Sequence, residues 1–253
     1  MRIFALSDIH VDYDENWTWL QELSEHDYTE DILLLAGDVA HSITLLQRAL
    51  KTLKKCFAEV LFVPGNHDLW VDRRSQSKTS LDKFQTVKEI ALDAGLRLDP
   101  AQFGSVTVVP LLGWYDYSFG QPGDELQGAW MDYKACRWPD DWEEREITQH
   151  FMAMNDHSPS ISEGKVVTFS HFLPRVDIMP AAMPAIHKRL FPVLGTSLLE
   201  KQVRTLRSHI HVYGHHHLNR RIERDDVVYI NNALGYPHET RIASRRLQCI
   251  LEL

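Results

Sequence analysis

Cysteine is scarce in this 253-residue chain: Cys56, Cys136 and Cys249 are widely spaced and form no CxxC pair. That scarcity excludes a disulfide framework and a thiolate zinc finger, and the three side chains read as buried, reduced thiols of a cytoplasmic protein. Long apolar runs are absent too. No stretch approaches the roughly eighteen residues needed to span a bilayer, and the N-terminus passes directly into a strand pattern, so neither a membrane span nor a signal peptide is expected. Positive charge is outweighed, with 27 Lys and Arg against 35 Asp and Glu and a net charge of -8. A general nucleic-acid coat would need the opposite balance. Basic pairs remain at Arg73-Arg74, Lys188-Arg189, Arg220-Arg221 and Arg245-Arg246, and they read as solvated faces.

Short apolar runs that end in polar side chains are what the sequence does have. Glu59-Val60-Leu61-Phe62-Val63 reads as a buried strand stopped by Pro64-Gly65, which leaves Asn66, His67 and Asp68 on a turn just past its carboxyl end. In an open α/β sheet that edge is where ligands bind. Arg2 to Leu6 runs likewise into Asp8-Ile9-His10, and Asp31 to Ala36 into Gly37-Asp38. A helix through Trp17, Leu20 and Leu23 returns the chain between the first two strands. A second, capped by Ser42 and carrying Leu46, Leu50, Leu53 and Phe57 on one face, leads to the third.

Further along, a polar loop over residues 71–78 precedes a helix with Leu81, Phe84, Ala91 and Ala94 on one side and Gly95 as its stop. Val106 to Leu112 is a strand. Residues 113–139 are dense in Trp and Tyr without clean periodicity. They fit either a satellite core beneath a long loop or a wall of a substrate pocket, with Trp114, Tyr115 or Tyr117 toward the pocket and Trp130 and Trp138 packing structurally. A helix is expected from Asp140, burying Ile147, Phe151 and Met154, then a strand over residues 165–169 ending at His171. The proline-rich segment 172–195 reads as a loop with short helical turns over the site. Ser197 and Glu200 form a candidate capping box. The strand Ile210 to Tyr213 leads into Gly214-His215-His216-His217, followed by strands at 220–224, 227–231 and 247–253 with an Asp225-Asp226 hairpin turn. Groups that must converge lie between Asp8 and His217, so residues 1–253 are expected to form a single domain, with an insertion around 113–195 partly covering the site.

The polar residues at the strand ends are Asp8, His10, Asp38, Asn66, His67, His171, His215 and His217. Carboxylates, one amide and imidazoles without thiolate suit manganese, iron or zinc. Eight such groups exceed the needs of one ion. A dinuclear site with a bridging hydroxide is a device for in-line attack on phosphorus.

In order, Asp8-x-His10, Gly37-Asp38, Gly65-Asn66-His67-Asp68, a lone His171 and Gly214-His215-x-His217 resemble the calcineurin-like metallophosphoesterase superfamily over residues 1 to about 235. The resemblance implies an α/β fold, a four-layer αββα sandwich of two β-sheets flanked by helices. It implies that Asp8, His10, Asp38 and His217 hold one metal, and Asp38, Asn66, His171 and His215 the other. His67 would then face the substrate, and Asp68 stands beside it as a catalytic candidate outside both ligand sets. His216, between two ligand positions, should point away. His41 stands where protein phosphatases of the superfamily carry an Asp that supports the substrate-facing His and where nuclease-type members can carry His. The run Gly-Asp-x-x-Asp-Arg-Gly of the phosphatases is missing, which argues against a Ser/Thr protein phosphatase. The implied activity is metal-dependent hydrolysis of a small-molecule phosphomonoester or phosphodiester. The alternatives are a nuclease-type phosphodiesterase, favoured by His41 and opposed by the acidic charge, and a noncatalytic scaffold, opposed by the complete set of ligand positions.

Overall fold

A computed structural model describes residues 1–71, 77–155 and 164–253. The basic pair Arg73-Arg74 and most of the loop expected over 71–78 lie outside them. Ten strands are present, β1 (Arg2–Leu6), β2 (Ile32–Ala36), β3 (Glu59–Val63), β4 (Ala101–Phe103), β5 (Val106–Pro110), β6 (Lys165–Phe169), β7 (Ile210–Tyr213), β8 (Arg220–Arg224), β9 (Val227–Asn231) and β10 (Gln248–Glu252) among the described residues. The helices are α1 (Asp14–Gln21), α2 (Ile43–Cys56), α3 (Ser80–Asp93), α4 (Asp124–Ala129), α5 (Asp132–Ala135), α6 (Glu144–Ala153), α7 (Ala185–Lys188) and α8 (Ser197–Thr205).

The strands make two sheets, ordered β10-β1-β2-β3 and β4-β5-β6-β7-β9-β8. Strands β1 to β3 run parallel, as do β5, β6, β7 and β9, while β4, β8 and β10 pair antiparallel at the sheet edges. Alternate side chains explain the layering. Ile3, Ala5, Ile32, Leu34, Leu61 and Val63 of the first sheet face Val108, Val167, Phe169, Val212 and Ile230 of the second. The other faces of β1 to β3 carry Phe4, Leu33, Leu35 and Phe62 against Leu46, Leu50 and Leu53 of α2. The outer face of the second sheet packs on Phe151 of α6 and Leu199 and Val203 of α8. This is the four-layer αββα sandwich. Each fully buried Leu, Ile or Val contributes about 1.5–3 kcal/mol relative to exposure, so the three apolar layers dominate stability.

Several local expectations are corrected. The helix expected from Asp140 starts at Glu144, because Glu143 and Glu146 form the capping box. Helix α8 is capped by Thr196, whose hydroxyl accepts from Leu198 N–H, and not by Ser197. Glu200 accepts instead from the Tyr229 hydroxyl and from Arg204. Of the three unpaired cysteines only Cys56 is buried; Cys249 sits on edge strand β10 and is exposed. Trp114 and Tyr115 are each 1% exposed and belong to the core, with Trp114 edge-on to Trp138 and Phe172. The aromatic stretch is therefore in large part a satellite core. No helix among the described residues is long and apolar enough to cross a membrane.

His211 on β7 is fully buried, its ring nitrogens 2.8 Å from the Thr168 hydroxyl and 3.1 Å from that of Ser170. Burial pushes its pKa down to about 3. The unfolded chain therefore binds a proton below pH 6.5 that the native state refuses, and the stabilising contribution is complete above that pH and lost as pH falls toward 3. Stability should drop by up to about 1.4 kcal/mol per pH unit in this window. His211→Gln should flatten that slope in urea melts at stepped pH; an unchanged slope would remove His211 as its source.

Candidate metal centre and active site

Every chemistry-bearing residue singled out above sits just past the carboxyl end of a parallel strand: Asp8 and His10 after β1, Asp38 after β2, Asn66 and His67 after β3, His171 after β6, and His215 and His217 after β7. Both sheets present that edge on the same side, so the residues meet there. Close approach of the loops demands two glycines. A Cβ on Gly65 would lie 2.7 Å from the Asp38 backbone nitrogen, and one on Gly37 (φ 82°) would lie 2.6 Å from the His171 ring.

Asp8, His10, Asp38, Asn66, His171, His215 and His217 are all buried and gather in two adjoining groups. In one, His217 Nε2 lies 3.3 Å from Asp8 Oδ1 and 3.1 Å from His10 Nε2, which is 3.8 Å from Asp38 Oδ2. In the other, His171 Nε2 lies 3.5 Å from Asp38 Oδ1, 3.0 Å from Asn66 Oδ1 and 3.2 Å from His215 Nδ1. The two oxygens of Asp38 thus address different groups.

The outer nitrogens fix what faces inward. His171 Nδ1 donates to the Ala36 carbonyl, His215 Nε2 to the Val193 carbonyl, and His217 Nδ1 to Glu239 at 2.6 Å. The Asn66 amide NH2 donates to Asp132, which leaves its oxygen pointing at His171. Around His171, therefore, two imidazole lone pairs, an amide oxygen and a carboxylate oxygen converge with no donor among them. Such a cluster is repulsive until a cation occupies it, and outer partners of this kind are how proteins orient metal-ligating histidines.

The electrostatics point the same way. Burial, the leading cause in each case, holds His10, His171 and His215 below the ordinary imidazole range, in the neutral form that ligates metals. Burial also opposes a charge on His217, but Asp8 and Glu239 outweigh it and raise the pKa to about 10. Asp8 stays ionised against the same desolvation because His217 lies beside it. Asp38 is driven upward by burial and by the nearby Asp8 and Asp68. Stacked buried carboxylates call for compensating positive charge.

Asp68 does not face the cavity. Its carboxylate accepts N–H bonds from Asp38, Val39, Ala40 and Gly65 at 2.8–3.0 Å and so pins the loop that presents Asp38. Burial raises its pKa to about 6 against those bonds. His67 lines the cavity, with Nε2 3.8 Å from Asp38 Oδ2 and 3.5 Å from the Tyr236 hydroxyl, and its ring stacks on Trp70 at 3.6 Å. His41 is exposed, its Nδ1 3.0 Å from Asp12 Oδ1 and its ring 6.4 Å from Trp70, so a link to His67 runs through that indole. His216 belongs to neither group of ligand atoms: its Nδ1 accepts from Leu218 N–H and its ring meets Tyr213 edge-on, although the residue also borders the cavity.

A cavity of about 340 Å³ opens over Asp38, Asn66, His67, His215 and His217. Its wall includes Trp130, Met179, Met183, Leu190, Leu194 and Ile242. The expectation for the aromatic stretch is corrected here: Trp130, edge-on to His215 at 5.8 Å, lines the cavity, while Trp114, Tyr115 and Tyr117 do not, and Trp138 packs on Trp114 as expected. Residues 179–194 also contribute, as expected of the proline-rich segment.

Sequence reading missed Asp132, Glu239 and Tyr236. Tyr236 and Glu239 follow the carboxyl end of β9, a sixth parallel strand that feeds the same edge, and that position is a usable signal. Asp132 offered only one carboxylate among aromatics. It is 2% exposed, accepts from Asn66 Nδ2 and from the indole N–H groups of Trp70 and Trp130 at 2.7–2.9 Å, and so joins the amide, the His67 support and the cavity wall. Asp132→Asn should leave the chain folded and weaken metal affinity about 10- to 100-fold, the usual cost of losing an outer partner. Metal titration followed by elemental analysis reads this out, and wild-type affinity in the variant would reject the orienting role.

The Calcineurin-like phosphoesterase family model matches residues 1–219. A curated relative, the [Acyl-carrier-protein] phosphodiesterase PptH of Mycobacterium tuberculosis, is 24% identical over 265 aligned residues, which span 94% of this chain and 79% of the relative. The crystal structure of Phosphopantetheinyl Hydrolase (PptH) from Mycobacterium tuberculosis superposes with a TM-score of 0.81 at 22% identity, covering 100% of this chain and 96% of that one. The convergent acceptors, the fold and the family match lead to one conclusion: the chain belongs to the calcineurin-like phosphoesterase family and is a metal-dependent phosphoesterase.

Proposed function

We propose that the chain acts as one domain, holds two cations that share Asp38, and cleaves a phosphodiester with a long uncharged arm of the phosphopantetheinyl type. Asp8, His10, Asp38 and His217 would hold one cation, and Asp38, Asn66, His171 and His215 the other. A donor set of oxygen and imidazole nitrogen fits manganese, iron or zinc. Bound there, the pair would supply Lewis-acid stabilisation of the phosphoryl oxygens and activation of the attacking water.

The residues do the rest. Asp38 divides its oxygens between the two groups, Asp68 and His67 N–H hold that carboxylate's loop in place, and Asp132 keeps the Asn66 oxygen inward. His67 stands at the cavity, supported on Trp70, where it can donate to the leaving-group oxygen. The observation that carries the substrate class is the apolar wall, Met179, Met183, Leu190 and Leu194 directly beside the ligands. A sugar phosphate or a simple polar monoester would leave that surface unused. A pantetheine-like arm buries apolar area against it, at about 25 cal/mol per Å². The name of the Mycobacterium tuberculosis relative supports the same class. His41 is the residue that would favour a nuclease-type reading, but it is exposed and outside the cavity lining.

Incubation with a phosphopantetheinylated carrier protein should release the phosphopantetheine arm, detected by mass spectrometry; release of phosphate from monoesters alone would refute the assignment. His67→Asn should lose about 10²- to 10⁴-fold on this alkyl diester and distinctly less on a p-nitrophenyl diester, whose leaving group needs no proton. Equal losses would assign His67 to the phosphoryl oxygens instead.

A further inference from the structure

We propose that the arginine-lined groove beside the active cavity is the docking surface for an acidic protein that carries the scissile arm. The proposal rests on the carrier-borne substrate argued above. The groove, about 700 Å³, lies where edge strand β8 of one sheet and edge strand β10 of the other approach the loop between β9 and β10, and it is lined by Arg220, Arg221, Arg241 and Arg246. Three of these, Arg220, Arg221 and Arg246, belong to the basic pairs that read as solvated faces in the sequence.

Three observations separate the cluster from an ordinary wet surface. First, the groove gathers four guanidiniums, and among the described residues no carboxylate side chain lines it and none of the four is in an ion pair. Arg220 Nε is buried with no hydrogen-bond partner. In a chain of net charge -8 with 35 carboxylates, four neighbouring cations left without internal counter-charge are complementary to negative charge from outside.

Second, the groove is built and held. Asn219 N–H donates to the Ile242 carbonyl at 2.8 Å, Asn219 Nδ2 to the Ser244 hydroxyl, Asn232 Nδ2 to the Arg246 carbonyl, and Trp19 Nε1 to the Arg245 carbonyl. A preformed surface loses less conformational freedom on binding.

Third, it adjoins the site. Ile242 lines both the groove and the active cavity, and consecutive residues divide between them, Leu218 and Glu239 in the cavity, Asn219 and Thr240 in the groove. A body seated on the arginines can present its phosphodiester across Ile242 to Asp38, with the arm running on from the phosphoryl group along the apolar wall. A nucleic acid fits the groove poorly, since no aromatic side chain lines it to stack a base.

The test compares wild type with the triple variant Arg221→Glu, Arg241→Glu, Arg246→Glu, all exposed positions whose thermal stability is checked first. Substrates are a phosphopantetheinylated carrier protein of acidic net charge and bis-p-nitrophenyl phosphate, with carrier binding followed by fluorescence anisotropy at low and high salt. The variant should lose about 10-fold or more in kcat/KM on the carrier, through KM, with the small diester changed less than about twofold. Added salt should weaken wild-type binding and hardly affect the variant. Carrier turnover by the variant equal to wild type overturns the docking surface and leaves the substrate class standing. Equal losses on both substrates, or binding of a single-stranded oligonucleotide with none of the carrier, also overturn it. Arginine-dependent binding without release of the arm sustains the surface and rejects the substrate class.

Discussion

Acceptor atoms converging without donors are the constraint on which the carboxyl edge of both sheets depends. Acceptors of Asn66, His215 and Asp38 lie 3.0–3.5 Å from His171 Nε2, and among the described residues the single donor to the four inward atoms is the backbone N–H of His67, which reaches Asp38 Oδ1. They stay aimed inward because each outer atom is tied to something rigid: His171 to the β2 carbonyl of Ala36, His215 to Val193, His217 to Glu239, Asn66 to Asp132. Rotation of any one ring would relieve the local repulsion and lose a buried hydrogen bond worth about 1–3 kcal/mol. Affinity for cations is in this sense stored in the outer partners, which sit on β2, on the segment over the cavity, on the loop after β9 and on α5.

Backbone conformation carries a second share of the tension. Of the ten non-glycine residues with positive φ among the described residues, Asp8, His10, Asp38, His215 and His217 are five, and all are proposed ligands. Such conformations cost about 1–3 kcal/mol each and cluster where function demands them. They turn a side chain back over the strand end from which it emerged. The compensation is visible: Asp68 accepts three N–H bonds from the Asp38 to Ala40 turn, Asp8 N–H bonds the Gly37 carbonyl, His10 N–H bonds that of Asp38, and His215 N–H bonds the Asp8 carboxylate. The loops of the two sheets thereby hold each other, so the centre and the inter-sheet packing stabilise together.

The parallel strands and the residues at their ends were legible because a buried parallel strand is a short continuous apolar run, and the turn after it is the one place where a polar cluster stands out against that run. The rule worked for β1, β2, β3, β6 and β7. The same rule extends to β9, whose carboxyl end leads to Tyr236 and Glu239. Aromatic residues carried no such information. Trp114 and Trp130 lie in the same stretch with the same composition, and only the tertiary path decides that Trp114 enters the core while Trp130, drawn by its N–H to Asp132, turns to the cavity. The α8 cap was misplaced by one residue because Thr196 and Ser197 are both competent caps and Glu200 is claimed by Tyr229 across the sheet. A strand pattern predicts a buried Cys249, but β10 is an edge strand and Cys249 is exposed there.

Chemistry and recognition share backbone in this fold. The segments 216–221 and 236–246 each begin at the cation site and end in the arginine groove, and the bond from Asn219 N–H to the Ile242 carbonyl ties them together at the point where one surface gives way to the other. Glu239 orients His217 and also accepts from Tyr236 N–H, while its own carbonyl receives the N–H groups of Ile242 and Ala243. The same turn therefore sets the direction of a proposed ligand and the position of Arg241. A partner anchored on the arginines, as proposed, would hold its phosphodiester at a fixed offset from the cavity. Because the phosphoryl group joins the carrier to the near end of the arm, the carrier would present it across Ile242 to Asp38, and the arm beyond must be uncharged enough to lie on Met179, Met183 and Leu194. On that proposal selectivity would come from geometry joined to charge, because a small phosphoester reaches the metal site without contact to either wall.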